Sequence, residues 1–283
     1  MRIANVDNRA TLIIQEGDEL KGVDIERCSR QLFPSDTREL LPRLDELKSW
    51  FDGKDFSSHS FPVTWDSLGS PIGTPRQIFA IGMNYLAHAD EVAIAAPEVP
   101  AVFTKFVSSL SGPRTTSELP SDSVDWEVEL VAVIGRGGRN IAKDDALDHI
   151  AGYAVGQDLS CRDLQFAAAS SPQFSLGKSY AGFAPVGPWL TTADEVPDPG
   201  SLIMKCSTGD EVLQEGSTAN LIFDIPTLVE HLSSVVELFP GDLIFTGTPD
   251  GVGFGRNPRR YLTSGEELVS SIEGLGEIRQ SFV

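Results

Sequence analysis

The sequence predicts a β-rich α+β fold, and two observations carry that expectation. Short β-rich runs alternate with turns along most of the 283 residues, and the 26 glycines and 18 prolines sit mostly between those runs. Helical spacing is sustained in only a few places. Strands therefore do not alternate with helices, which argues against a doubly wound parallel sheet.

The first 72 residues read as a small N-terminal α+β domain, ahead of a larger domain over 73–283. Met1–Val6 and Thr11–Gln15 are strand-like. A helix follows, in which Asp36 and Glu39 fit a capping pair and Leu40, Leu44, Leu47 and Phe51 recur at helical spacing before Gly53. Asp52–Ser60 reads as a loop and Ser67–Pro75 as a linker. The β-rich runs of the larger domain are Ile78–Gly82, Ala101–Phe106, Glu127–Ile134, Tyr153–Asp158, Leu202–Ser207 and Asp242–Thr246. Two helices stand out, one over Lys143–Ile150 and one from Ile225 to Leu238, with Asp224 as N-cap and Pro240-Gly241 as the stop.

Composition limits the function. There are 22 Lys+Arg against 41 Asp+Glu, a formal net charge of −19. Such a surface repels phosphate backbones and anionic membranes, so neither nucleic acid nor membrane is expected as a partner. The 41% hydrophobic content argues against disorder. No run approaches the roughly 18 apolar residues of a spanning helix, and no signal-like start is seen. Cys28, Cys161 and Cys206 are widely spaced and match no zinc pattern. They read as reduced thiols of a cytoplasmic protein.

The strongest chemical signal is Asp125-Trp126-Glu127-Val128-Glu129-Leu130-Val131-Ala132-Val133-Ile134. On a strand, Glu127 and Glu129 share one face, where two carboxylates repel. Either both lie in water at a strand edge or a hard divalent cation neutralises them. Asp158, at the end of the next apolar strand, is placed to be a third ligand, or it is a turn residue. Two Glu and one Asp suit Mg²⁺ or Mn²⁺ better than Zn²⁺. Ser160 and Asp163 read as a capping box for a short helix on which Arg162 and Gln165 share a face. Arg162 is a candidate clamp for a substrate carboxylate, or the partner of Asp163 or Asp158. Gln165 is a candidate hydrogen-bond donor to a carbonyl. Lys178, alone in a Gly-rich stretch, is either an anion contact or a solvated lysine. In GMNYLAHADE, His88 and Glu91 stand one helical turn apart, a pairing that suits a general base for water or is an exposed pair arising by chance. In GDLIFTGTPDGVG a strand runs into a turn whose backbone N–H groups and Thr248 hydroxyl could cradle a carboxylate, or which is only a hairpin turn.

Taken in order, GMNYLAHADE, FTKFVSSLSGP, DWEVELVAVIGRGGRNI, AGYAVGQDLSCRDLQ, LGKSYAGFAPVGPWL and GDLIFTGTPDGVG resemble the fumarylacetoacetate hydrolase family, from Ile78 to the C-terminus. The resemblance is to its bacterial acylpyruvate and fumarylpyruvate hydrolase-like members. It implies a mixed β-sandwich roll, commonly a homodimer, and a Mg²⁺-dependent enzyme (Mn²⁺ as a substitute) acting on small anionic 2-oxo acids. It implies Glu127, Glu129 and Asp158 as metal ligands, and His88 with Glu91 as a catalytic dyad on a lid. Lys178 matches the lysine that contacts the enolate or oxyanion. Gln165 and Thr248 match positions at the oxo-acid end, and Arg162 matches the arginine after the third ligand. The expected reaction is hydrolytic C–C cleavage of a 2,4-dioxo acid to pyruvate and a carboxylic acid. An oxaloacetate-type decarboxylase, a 2-hydroxy-dienoate isomerase or hydratase, or a non-catalytic metal-binding module are the alternatives. The Val92–Pro97 stretch, Ala- and Val-rich, hints at an apolar lid. Ser207–Glu211, Arg259–Leu262 and Gly265–Glu267 depart from the family pattern, which bears on specificity rather than chemistry.

Overall fold

The computed structural model describes residues 1–16, 19–91, 95 and 97–283. Among these, the larger sheet has 12 strands. Its main path runs Phe61–Val63, Glu19–Asp24, Arg9–Glu16, Arg2–Val6, Ala184–Thr192, Ile150–Gln157, Val128–Ile134, Leu243–Phe245, Ile78–Gly82 and Ala101–Thr104. The smaller, five-stranded sheet runs Glu211–Ser217, Ile203–Thr208, Glu267–Ile272, Gly276–Phe282 and Arg114–Ser117. The central strands Val128–Ile134 and Ile150–Gln157 are buried at every position, as near-continuous apolar runs dictate.

Side-chain alternation divides the core. Leu130, Ala132 and Ile134 face the smaller sheet, where Met204, Cys206, Leu268 and Ile278 meet them and the helix Ile225–Val235 adds Leu228, Val229 and Leu232. Val131 and Val133 face the other way, with Ile78, Ala80, Ala154 and Phe245. The β-rich sandwich roll expected of the sequence is thus the fold observed.

Local corrections have identifiable causes. The helix expected over Leu40–Phe51 breaks into Thr37–Leu40, a 3₁₀ turn Leu41–Arg43 and Leu44–Phe51. Pro42 cannot donate to the helical ladder, and its ring collides with the carbonyl four residues back. Lys143–His149 is 3₁₀ rather than α-helical, and Ile150 already begins the next strand. The late helix stops at Val235, because Leu238 is captured by a two-way backbone pairing with Gly138. The N-terminal residues add a third strand, Glu19–Asp24, that their spacing did not announce. Arg2–Val6 pairs antiparallel with Ala184–Thr192, so the N-terminal strands continue the larger sheet. Ile3, Val23, Ile25, Phe33, Leu40 and Leu47 also form a hydrophobic cluster of their own. None of the helices among the described residues is long and apolar enough to cross a membrane.

Leu268 lies fully buried between the sheets, whereas Leu147 is 46% exposed. Leu268→Ala should cost about 2–5 kcal/mol in urea unfolding, and Leu147→Ala less than about 0.5 kcal/mol.

Candidate active site

Register brings the acidic residues together. Val128–Ile134 and Ile150–Gln157 are antiparallel, with Val128 opposite Gln157 and Glu129 opposite Gly156. The start of one strand therefore meets the end of the other, and the Asp158 N–H donates to the Glu127 carbonyl at 2.9 Å. Glu127 lies one residue before the strand, where Gln157 Oε1 accepts from its N–H at 2.8 Å, yet it keeps the facing of Glu129. One carboxylate oxygen each from Glu127, Glu129 and Asp158 lie within 4.8 Å of one another, and all three residues are buried.

Two further strand ends close the site. Leu243–Phe245 pairs antiparallel with Val128–Ile134, and the turn after it places the Gly247 N–H 2.8 Å from Glu129 Oε2. Gly247 has φ +104°, and a Cβ there would fall 2.7 Å from Asn84 Cβ, so only glycine fits. Ile78–Gly82 runs parallel to Leu243–Phe245 and delivers the chain into the helix Leu86–Glu91. Asn84 pins that exit by donating to the Thr246 carbonyl at 2.7 Å and accepting from the Phe223 N–H at 2.8 Å.

On this helix His88 is buried, and its Nδ1 lies 3.6 Å from Glu91 Oε2 without a hydrogen-bond partner. The Gly251 N–H donates to both Glu91 oxygens at 3.1 Å. The turn expected to cradle a substrate carboxylate thus spends its Gly247 and Gly251 N–H groups on the protein's own carboxylates. Thr248 lines the cavity, and its hydroxyl accepts from Gln214 Nε2 at 2.8 Å. Of the expected lid, residues 92–94 and 96 lie outside the described residues.

The cations are buried as well. Lys178 donates to Glu127 Oε2 and Asp158 Oδ2, both at 2.6 Å. It is therefore no solvated loop lysine. Arg162 bonds Glu127 Oε1 at 2.7 Å, Asp125 Oδ2 at 2.8 Å and Gln165 Oε1 at 2.8 Å. Neither Asp163 nor Asp158, the partners weighed from the sequence, takes it. Ser160 is no helix cap: it sits in a short bridge to Val124–Asp125, its hydroxyl donates to the Asp158 carbonyl, and Ser123 caps the Asp163 N–H instead.

Two residues escaped the sequence reading. Asp125 is fully buried and accepts from Arg162 and from the Gly253 and Phe254 N–H groups. Alternation carried back from Glu129 through Glu127 would have reached it. Lys105, equally buried, donates to Asp158 Oδ1 and to the Lys178 carbonyl. A lone lysine in the apolar run Ala101–Phe106 was the available signal.

The electrostatics follow from this packing. Burial disfavours the ionised form of Glu127, but Lys178 and Arg162 outweigh it and hold its carboxyl below the usual range. Glu129 is pushed well above that range by burial and by Asp158 and Glu127. Burial also lowers Lys105, whereas Asp158 and Glu127 overcome burial at Lys178 and raise it. Asp125, Glu127, Glu129 and Asp158 exceed the cations Lys105, Lys178 and Arg162 by one charge. A divalent cation would relieve the repulsion at Glu129. Hard oxygen donors of this kind fit Mg²⁺ or Mn²⁺. His88, Glu127, Glu129, Arg162, Gln165, Lys178 and Thr248 all line one cavity of about 350 Å³.

Comparison with known proteins agrees with this geometry. The family model described as Fumarylacetoacetate (FAA) hydrolase C-terminal matches residues 77–283. Human mitochondrial oxaloacetate tautomerase FAHD2A is 42% identical over 211 residues, 74% of this chain and 67% of that one. A Mycobacterium smegmatis crystal structure assigned as HpcE superposes with a TM-score of 0.92 at 50% identity, covering 100% of this chain and 99% of the other. Maleylpyruvate hydrolase from Sphingobium, solved with manganese(II) and pyruvate, gives a TM-score of 0.80 at 31% identity, with 100% and 99% covered.

Two outcomes test the electrostatics. A carboxyl whose pKa is raised by folding loses stability as pH climbs above the unfolded value of about 4.3. Metal-free Glu129→Gln should therefore melt higher than the parent at pH 7, with the gap closing toward pH 4. Saturating Mn²⁺ should reverse the order. A metal-free variant that melts lower at pH 7 contradicts the assignment. Lys105→Met leaves Asp158 Oδ1 without its donor while Lys178 still holds Oδ2, and should cost about 1–3 kcal/mol in urea unfolding.

Proposed function

Because this chain belongs to the fumarylacetoacetate hydrolase family, we propose that it is a divalent-metal-dependent enzyme that carries a small 2-oxo acid through its enolate. The observation that carries this reading is that the buried Glu127/Glu129/Asp158 triad, through Glu127 and Glu129, and the His88/Glu91 pair, through His88, face one cavity. Mg²⁺ or Mn²⁺ held by the triad would supply charge to bind and polarise the carboxylate and 2-oxo oxygen.

The protein's own groups then have defined tasks. Glu91, 3.6 Å from the buried His88 Nδ1, would take that nitrogen's N–H as the pair tightens around substrate and leave Nε2 to move a proton. In the hydrolytic reading that proton comes from a water attacking the distal carbonyl of a 2,4-dioxo acid. The C–C bond then breaks toward the oxo-acid end, and protonation of the departing carbon gives pyruvate plus a carboxylic acid. Lys178 spends two of its three N–H donors on carboxylates, which leaves one for the enolate oxygen. Gln165 and Thr248 orient the oxo-acid end from the cavity wall. Arg162 commits four of its five N–H donors to Asp125, Glu127 and Gln165, and so holds Glu127 and Gln165 in place rather than clamping substrate.

A second reading is proton transfer alone, a keto–enol tautomerisation or isomerisation at the same groups. It is favoured by the oxaloacetate tautomerases of Xenopus laevis and human, 37% and 42% identical. As a cytoplasmic protein it would work as a homodimer, an assembly supported by the edge strand Ala101–Thr104, whose Val102 lies exposed, as does Phe106 just beyond the strand.

Proton NMR of 2,4-dioxo acids and oxaloacetate incubated with the Mn²⁺- or Mg²⁺-loaded protein separates the readings. Pyruvate plus a second acid supports hydrolysis, whereas enol–keto exchange without cleavage supports tautomerisation. His88→Ala should lower kcat by roughly 10²–10⁴-fold in either case. Undiminished turnover in that variant would remove the dyad from the mechanism.

A further inference from the structure

The cavity has an apolar wall as well as a charged floor. Beyond the charged floor, the cavity is lined by Ile81, Met83, Phe103, Phe166, Phe174 and Phe254. The phenyl rings form a continuous arc: Phe103 and Phe174 have centroids 5.9 Å apart, Phe174 and Phe166 6.0 Å, and Phe166 and Phe254 5.2 Å in a stacked pair. Both ends of the arc return to the floor. Lys178 Nζ lies 5.1 Å from the Phe103 centroid, and Arg162 Cζ 5.7 Å from that of Phe254.

We propose that this arc is a subsite for a flat apolar acyl group, aryl or conjugated hydrocarbon, rather than for a second carboxylate. The inference rests on the enolate reading of the floor and adds the identity of the other end of the substrate. Three observations carry it. None of the four rings is fully buried, so each offers apolar face or edge to an occupant. The cations of the cavity are committed, Lys178 to Glu127 and Asp158, and Arg162 to Asp125, Glu127 and Gln165. A distal carboxylate would therefore meet phenyl rings at the arc, since the cations lie at the floor and the remaining Lys178 N–H serves the enolate oxygen there. Arg259 stacks its guanidinium 4.2 Å over Phe254 on an exposed stretch and is not among the residues that line the cavity. The arc is also held in place. Asp125 accepts from the Phe254 N–H and from Arg162 at once, so the wall and the floor share one buried carboxylate.

The test is calorimetric titration of the Mn²⁺-loaded and metal-free protein with 4-phenyl-2,4-dioxobutanoate and with oxaloacetate. Variants Phe174→Ala, Phe254→Ala and Arg259→Gln are titrated in parallel. The Mn²⁺-loaded protein should bind the aryl acid at least about tenfold tighter than oxaloacetate. Each phenylalanine truncation should shrink that ratio by about tenfold, and Arg259→Gln should leave it within about twofold. Tighter binding of oxaloacetate, or truncations that weaken both acids equally, would overturn the subsite. So would Arg259→Gln selectively weakening oxaloacetate. If neither acid binds better with Mn²⁺ than without it, the enolate reading itself fails and the subsite with it.

Discussion

The mutual repulsion of Glu127, Glu129 and Asp158 is the constraint around which this molecule is arranged. Three carboxylate oxygens within 4.8 Å, out of water, are unfavourable unless cations surround them. Lys105, Lys178 and Arg162 supply part of that charge, and Asp125 consumes part of it again. The residual negative charge is what a divalent ion would neutralise, with positive charge left over for an anionic substrate. On a protein with a net charge of −19, such a local positive focus is what the proposed acid substrate would need.

The fold exists at this site as a set of strand ends. Antiparallel register sets Glu127 against Asp158, and the neighbouring strands end in the turn bearing Gly247 and in the helix bearing His88. The loop after that turn bonds Glu91 through Gly251 and Asp125 through Gly253 and Phe254. The acidic triad, the His88/Glu91 pair and the aromatic wall are thus joined by backbone hydrogen bonds, and displacement of one would be felt by the others.

Much of this was legible in the sequence, for physical reasons. Strand alternation alone placed Glu127 and Glu129 on one face, and helical spacing alone paired His88 with Glu91 and Arg162 with Gln165. These are local rules, and they hold over a few residues. What the sequence concealed was non-local. The acidic partners of Arg162 lie 35 and 37 residues away rather than beside it, and Lys105 reaches Asp158 across 53 residues. The N-terminal strand joins the large sheet by pairing with residues near position 190. Helix ends failed where a side chain overrode spacing, as Pro42 does, or where a distant backbone captured the chain, as Gly138 does to Leu238.

The central claim is that the carboxylate cluster becomes an anion-binding site only through a divalent cation. Oxalate, a rigid mimic of the 2-oxo acid head, tests it in one calorimetric comparison of metal-free and Mn²⁺-loaded protein. Oxalate should bind the Mn²⁺-loaded form and show no measurable heat of binding with the metal-free form. Equal binding to both would mean that the lysines and Arg162 receive the anion unaided, and the account of the triad as a metal site would be wrong.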